Sequence, residues 1–98
     1  MSAVILKLVN GDDVISEVEI QESGDVVLKN PARLMIVPTE TGEMGLAVVP
    51  WCPYVDQKDF TISPIHILTE IDAPEELADK YREEFGSGIV APPKGLIL

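Results

Sequence analysis

Asn10-Gly11 stands between two runs rich in β-branched and apolar residues, Ala3 to Val9 and Asp13 to Ile20. Asn and Gly both tolerate the positive φ of a tight hairpin turn, so the dipeptide predicts two antiparallel strands joined by a short connection. Further turn signals follow at Ser23-Gly24, at Thr41-Gly42 and over Val55-Asp56-Gln57-Lys58-Asp59. Short β-branched runs between closely spaced turns predict an antiparallel meander, curled into a small barrel or sandwich.

Period-two counting assigns the faces. Val4, Leu6 and Leu8 share one face of the first run. In the second, Val14, Val18 and Ile20 oppose Asp13, Glu17 and Glu19, which predicts one wet face. The third run, Asp25 to Val37, places Val26, Leu28, Leu34 and Ile36 on one side, with Asn30-Pro31 in its middle. Proline cannot donate to a ladder, so a bend, bulge or edge is expected there. Met44 to Val49 is nearly all apolar and reads as buried on both faces. A fifth run, Phe60 to Ile71, puts Ile65, Ile67 and Ile71 together, opposite His66 and Leu68.

One helix is predicted. Asp72 and Glu75 have the spacing of an acidic capping box, Pro74 is tolerable in a first turn, and Gly86 provides a stop. Leu77, Tyr81 and Phe85, four apart, make an apolar stripe. The chain of 98 residues is therefore read as a single domain: a β unit over 1–71, a helix over 72–86 packed on it, and an extended tail over 87–98.

Seventeen Asp and Glu against 7 Lys and Arg give a formal net charge of −10. That balance argues against a generic nucleic-acid sleeve, whose affinity comes from clustered cations. A content of 46% hydrophobic residues is too high for a disordered chain. The single Cys52 excludes a disulfide framework within the chain and a CxxC zinc site. The apolar stretch at the N-terminus is short and interrupted by Lys7, and no basic region precedes it, so it reads as a strand rather than a signal peptide. With no export signal and one unpaired Cys, a reducing cytoplasm is the expected location, and no apolar run reaches membrane length.

Few residues carry the arrangement that chemistry needs. Asp12 and Asp13 are hard oxygen donors, but on a hairpin turn Asp is common for backbone reasons. His66 is the only histidine, with no HxH or HExxH spacing, and Cys52 lies in no nucleophile motif. No catalytic residue, cofactor site or metal site is predicted, and the chain is read as a non-enzyme. Trp51-Cys52-Pro53-Tyr54 is a candidate contact segment, because Trp51 and Tyr54 suit either packing or base stacking. Lys29 and Arg33 share an outward face by parity and are candidates for phosphate contact or for pairing with carboxylates.

The run from Leu8 to Ile20, with Asp25 to Asn30 and the short segment Phe60 to Ile67, resembles the Sm-like family that includes LSm proteins and bacterial Hfq. The likeness covers roughly Ala3 to Ile71, and it is similar to a divergent phage-type (cyanophage-like) member. It implies a five-stranded, strongly bent antiparallel barrel, here followed by a helix. It also implies an RNA pocket at Asp25, Asn30, Ser63 and Pro64. Three positions depart from the family. Ser16 stands where the second strand has a small Gly, Asp25 where an Asn holds a base, and Ser63-Pro64 where an Arg-Gly pair completes the pocket.

In that family the fourth strand pairs with the fifth strand of the next subunit. The resemblance thus implies a homo-oligomeric ring of about five to seven subunits, closed by heterologous contacts. Met44, Leu46, Val48, Ile65 and Ile67 would form the subunit interface. The expected role is a ring-forming binding or scaffold protein with weak or lost RNA binding, whose partner is itself or another protein. The alternative is an RNA-binding ring with an atypical pocket.

Overall fold

The computed structural model describes residues 3–86 and 96–97. The strands are β1 (Ala3–Leu8), β2 (Asp13–Ile20), β3 (Val26–Pro38), β4 (Met44–Pro50), β5 (Asp59–Ile62), β6 (Ile67–Asp72) and β7 (Leu96–Ile97). A 3-10 turn, Pro64–His66, precedes β6, and a helix α1 (Glu75–Tyr81) follows it. All pairings are antiparallel, in the order β6-β1-β2-β3-β4-β7, with β5 also on β3. The fold is mostly β, as expected. It is an open sheet of seven strands rather than a closed barrel of five.

Three hairpins share one plan. In each, a residue's N–H donates to the carbonyl four residues on, and a Gly donates back: Leu8 with Asp12 and Gly11, Gln21 with Asp25 and Gly24, Thr39 with Glu43 and Gly42. The three glycines have φ of 94°, 93° and 85°. This is the three-residue hairpin loop, with a turn closed by a left-handed residue. Asn10 does not share the positive φ that the dipeptide reading gave it. Its side chain instead brackets Asp12, accepting from the backbone N–H at 3.0 Å.

Of the bend, bulge or edge expected at Asn30-Pro31, the structure has a bulge. Ile15 pairs with Ala32 and Glu17 with Lys29, so β3 carries one residue more than β2 across this step. Asn30 has a φ of 48°, the only non-glycine above zero among the described residues. An extra residue reverses the parity of everything beyond it. Val26 and Leu28 therefore point to one side and Leu34 to the other, which corrects the single face read from the sequence.

The sheet is apolar on both sides. Val4, Leu6, Leu8, Val14, Val26 and Leu28 form one core, with Val18, Trp51, Ile62 and Ile67 against it. Ala3, Ile15, Ala32 and Val48 form the other, covered by Leu77, Ala78 and Tyr81 of α1. The helix thus dries the middle of a β2 face that alternation alone read as wet: Ile15 is fully buried between the carboxylates of Asp13 and Glu17.

Pro64 splits the fifth run in two. β5 pairs with the first half of β3, and β6 returns to β1. A second irregularity sets Leu8 opposite Ile67 but Lys7 opposite Thr69, leaving Leu68 as the extra residue. Ile67 consequently joins the Leu8 side, while Ile71 pairs with Ile5 on the helix side.

Asp72 is not the helix cap. It ends β6 opposite Val4, and the first helical turn follows Pro74, with no side-chain cap bond. Strand pairing has taken the residue that the local capping pattern assigned to the helix. Glu75 and Glu76 place negative charge in the first turn, where the helix dipole favours it. The helix continues through a π turn, Arg82–Gly86. Leu77 and Tyr81 are buried as predicted, whereas the Phe85 side chain and residues 87–95 and 98 of the expected tail lie outside the described residues.

Candidate functional site

The bulge sets the geometry of the cations. Lys29 pairs with Glu17, on the helix side of the sheet, and Arg33 pairs with Val14, on the Leu6 side. The shared outward face expected from parity therefore does not exist. Lys29 Nζ lies 3.3 Å from Glu19 Oε2 and 3.7 Å from Asp59 Oδ2. Arg33 Nε lies 3.3 Å from Asp12 Oδ1. Each cation sits against carboxylate, so neither presents an open positive site to a phosphate.

The four positions of the implied RNA pocket divide. Val26 pairs with Ile62, so Asp25 and Ser63 follow one step beyond, at the same end of the sheet, with Pro64 next to them. Asp25 accepts from the Gln21 N–H through its carbonyl and donates its own N–H to Ser23 Oγ, which holds it in the hairpin. Ser63 Oγ accepts from the Ile65 N–H and starts the 3-10 turn. Asn30 lies at the bulge, where its N–H donates to the Lys58 carbonyl at 2.8 Å. Three of the four positions thus share one sheet end, and it offers a carboxylate and a hydroxyl rather than an amide and a cation.

Trp51 is a packing residue at the end of β4. Its ring meets Phe60 edge to face at 5.6 Å, and Nε1 donates to Asp12 Oδ2 at 3.2 Å. The same carboxylate accepts from Asn10 Nδ2 and faces Arg33. Asp12, read from the sequence as a turn residue or a metal ligand, is in fact a tie between β1–β2, β3 and β4. Asp13 pairs with Lys7 at 2.8 Å. Among the described residues no group of three His, Cys, Asp or Glu converges on a metal position. His66 is exposed on the 3-10 turn, Cys52 is a half-buried free thiol, and Tyr54 is 87% exposed in the loop after Trp51.

The sequence-predicted interface residues fall into two classes. Val48 is fully buried under α1, and Leu46 and Ile67 are half-buried against the two cores. Met44 and Ile65 are exposed, at 63% and 77%. Around Met44, the exposed Ile36 extends the apolar surface at the far end of β3 and β4. Around Ile65, Val9 and Leu68 are exposed too, and the Val9 N–H donates to the His66 carbonyl. The first patch lies on β3 and β4 and the second around the start of β6, toward opposite ends of the strand order. Sequence reading missed Val9, Ile36 and Leu68. Leu68 is exposed as the extra residue of the β1–β6 irregularity, Val9 lies in the turn after β1, and Ile36 lies toward the far end of β3, and none of these placements follows from period-two counting.

No helix among the described residues is long and apolar enough to cross a membrane. No protein-family model matches the chain, and a comparison with curated proteins finds no relative.

Proposed function

We propose that this chain is a ring-forming, non-enzymatic binding or scaffold module of Sm-like type, with a weak or lost RNA pocket. One observation carries the reading. A heterologous contact needs two different complementary edges on each subunit. The sheet has β6 at one end of its order and β4, bearing the short β7, at the other, each beside an exposed apolar patch. Pairing β4 of one copy with β6 of the next would continue the sheet and cover both patches. The hairpin at Asn10-Gly11 and the sequential pairing of β1, β2, β3 and β4 also support the strand order that the resemblance implies.

The RNA side of the reading follows from charge. Lys29 and Arg33 face carboxylates, and Asp25 and Ser63 stand where the family has an amide and a cation. A ring multiplies the net charge of −10 by the number of subunits. The test is native mass by sedimentation, followed by titration with uridine-rich RNA at several salt concentrations. A closed oligomer without RNA affinity is expected. A chain that stays monomeric at every concentration tested removes the ring reading. Binding that falls steeply with salt moves the chain to an RNA-binding ring.

A further inference from the structure

The outer edge of β4 is covered within the chain. Ala47 pairs with Ile97 and Val48 with Leu96, so β7 takes backbone groups from the middle of β4. An uncovered edge strand is a template for another strand, and short covering segments are a common way to blunt it. The edge that β7 occupies is the one a neighbouring β6 would need.

We infer that Leu96–Ile97 is a removable intrachain cap on β4, competing with a second copy of this chain for the same edge. The inference rests on the ring reading and adds its regulation. The competition is unequal in two ways. The cap pairs two residues, whereas β6 offers a strand from Ile67 to Asp72, so a neighbour makes the longer ladder. The cap belongs to the same chain, so its local concentration does not fall on dilution. Dilute protein therefore keeps the cap seated, and rising concentration replaces it with a neighbour. The rest of β4, Met44 to Leu46, has no strand on its outer edge among the described residues. An incoming strand would meet that free stretch first and then displace the cap stepwise.

The test uses the full chain. In a Cys52→Ser background, Ala47→Cys and Ile97→Cys place two thiols on a directly opposed antiparallel pair, a spacing that a disulfide spans. Oxidation should give an intrachain bond, and the locked protein should remain monomeric at concentrations where its reduced form assembles. Separately, adjacent N–H groups of a strand point to opposite edges, so a Leu96→Pro/Ile97→Pro variant removes whichever of the two the cap directs at β4, and it should assemble at several-fold lower concentration than the wild type. Absence of the intrachain bond in a protein that still assembles overturns the cap and spares the ring. Equal assembly of locked and reduced forms does the same. An intrachain bond with no assembly of the reduced or proline forms at any concentration overturns the ring reading, and with it the competition.

Discussion

The Tyr81 hydroxyl donates to the Lys29 carbonyl at 2.5 Å, joining the end of α1 to the strand bulge 52 residues away in sequence. The same oxygen accepts from the Glu17 N–H at 3.3 Å, and the Asn30 carbonyl lies at the same distance. The Ser16 hydroxyl sits in the same knot, 2.7 Å from the Glu17 carbonyl and 3.2 Å from the Lys29 carbonyl. A bulge leaves ladder groups unpaired, and a buried unpaired group costs free energy. The helix supplies the missing partner.

Tyr81→Phe should therefore destabilise the chain by about 1–3 kcal/mol, the cost of leaving buried backbone groups without a partner. The ring volume is kept, so packing against Ile15 and Val48 changes little. Urea unfolding measures the loss. An effect within error would show that the bulge is satisfied without the hydroxyl.

Burial pushes the Tyr81 hydroxyl above the ordinary tyrosine value of 10.0, opposed by its hydrogen bonds to Glu17 and Ser16. A group whose folded value is raised gives stability that is fully present below its unfolded value and lost as pH rises through the folded one. The wild-type urea midpoint should thus fall above about pH 10, and fall more steeply than that of Tyr81→Phe. Parallel profiles for the two proteins would assign alkaline unfolding to other groups.

The hairpins were legible because glycine punctuation is local. Gly11, Gly24 and Gly42 mark the three turns without any knowledge of the partner strand. Asn30-Pro31 was equally visible as an irregularity, yet its consequence was not. Face counting adds two residues at a time, and one inserted residue sends Leu34 and Arg33 to the sides opposite those counted from Leu28 and Lys29. Asp72 failed for a related reason. The capping pattern weighs four adjacent residues, whereas pairing with Val4 depends on a strand at the other end of the chain. The candidate site suffered most. Which cation faces which carboxylate, and which isoleucine is dry, depend on bulges that have no fixed sequence signature.

Gly11 has open space around the position of a Cβ, so a side chain there would meet no neighbour. The cost of Gly11→Ala is then purely conformational. It should be about 1–2 kcal/mol, the penalty of an L-residue in the left-handed region. Gly11→Asn should cost less, because Asn visits that region more readily. Thermal unfolding of the pair distinguishes them, and equal losses would indicate that the loop changes its form instead.

The wild-type protein should bind short RNA weakly or not at all at about 0.15 M salt, where exposed charges beyond roughly 8 Å are screened. The combined Asp25→Asn and Ser63→Arg changes remove one carboxylate and add one cation at the same sheet end, which carries both positions. Some affinity for uridine-rich RNA should appear, with a shallow salt dependence set by the few phosphates contacted. Tight wild-type binding would reverse the assignment, and Tyr54 is the exposed ring to examine first for stacking.

The ring contact is best probed away from Val48. That residue lies at 0% exposure under α1, so a charge there would unfold the chain and say nothing about association. Met44 and Ile71 are the better pair. Antiparallel pairing of β4 with a neighbour's β6 brings the start of one strand to the end of the other, which sets Met44 nearest Ile71. Both lie on the helix side, since Met44 continues the alternation of Leu46 and Val48, and Ile71 pairs with Ile5. Met44→Lys alone and Ile71→Glu alone should each shift assembly to higher concentration, with little change in the unfolding midpoint of the monomer. The double variant should recover much of the loss, because in a heterologous contact position 44 of each copy meets position 71 of the next. Cross-strand pairs of opposite charge contribute roughly 0.2–1 kcal/mol, and a ring repeats that gain at every interface. Losses that add in the double variant would show that the two edges do not meet, and that association, if present, uses another surface.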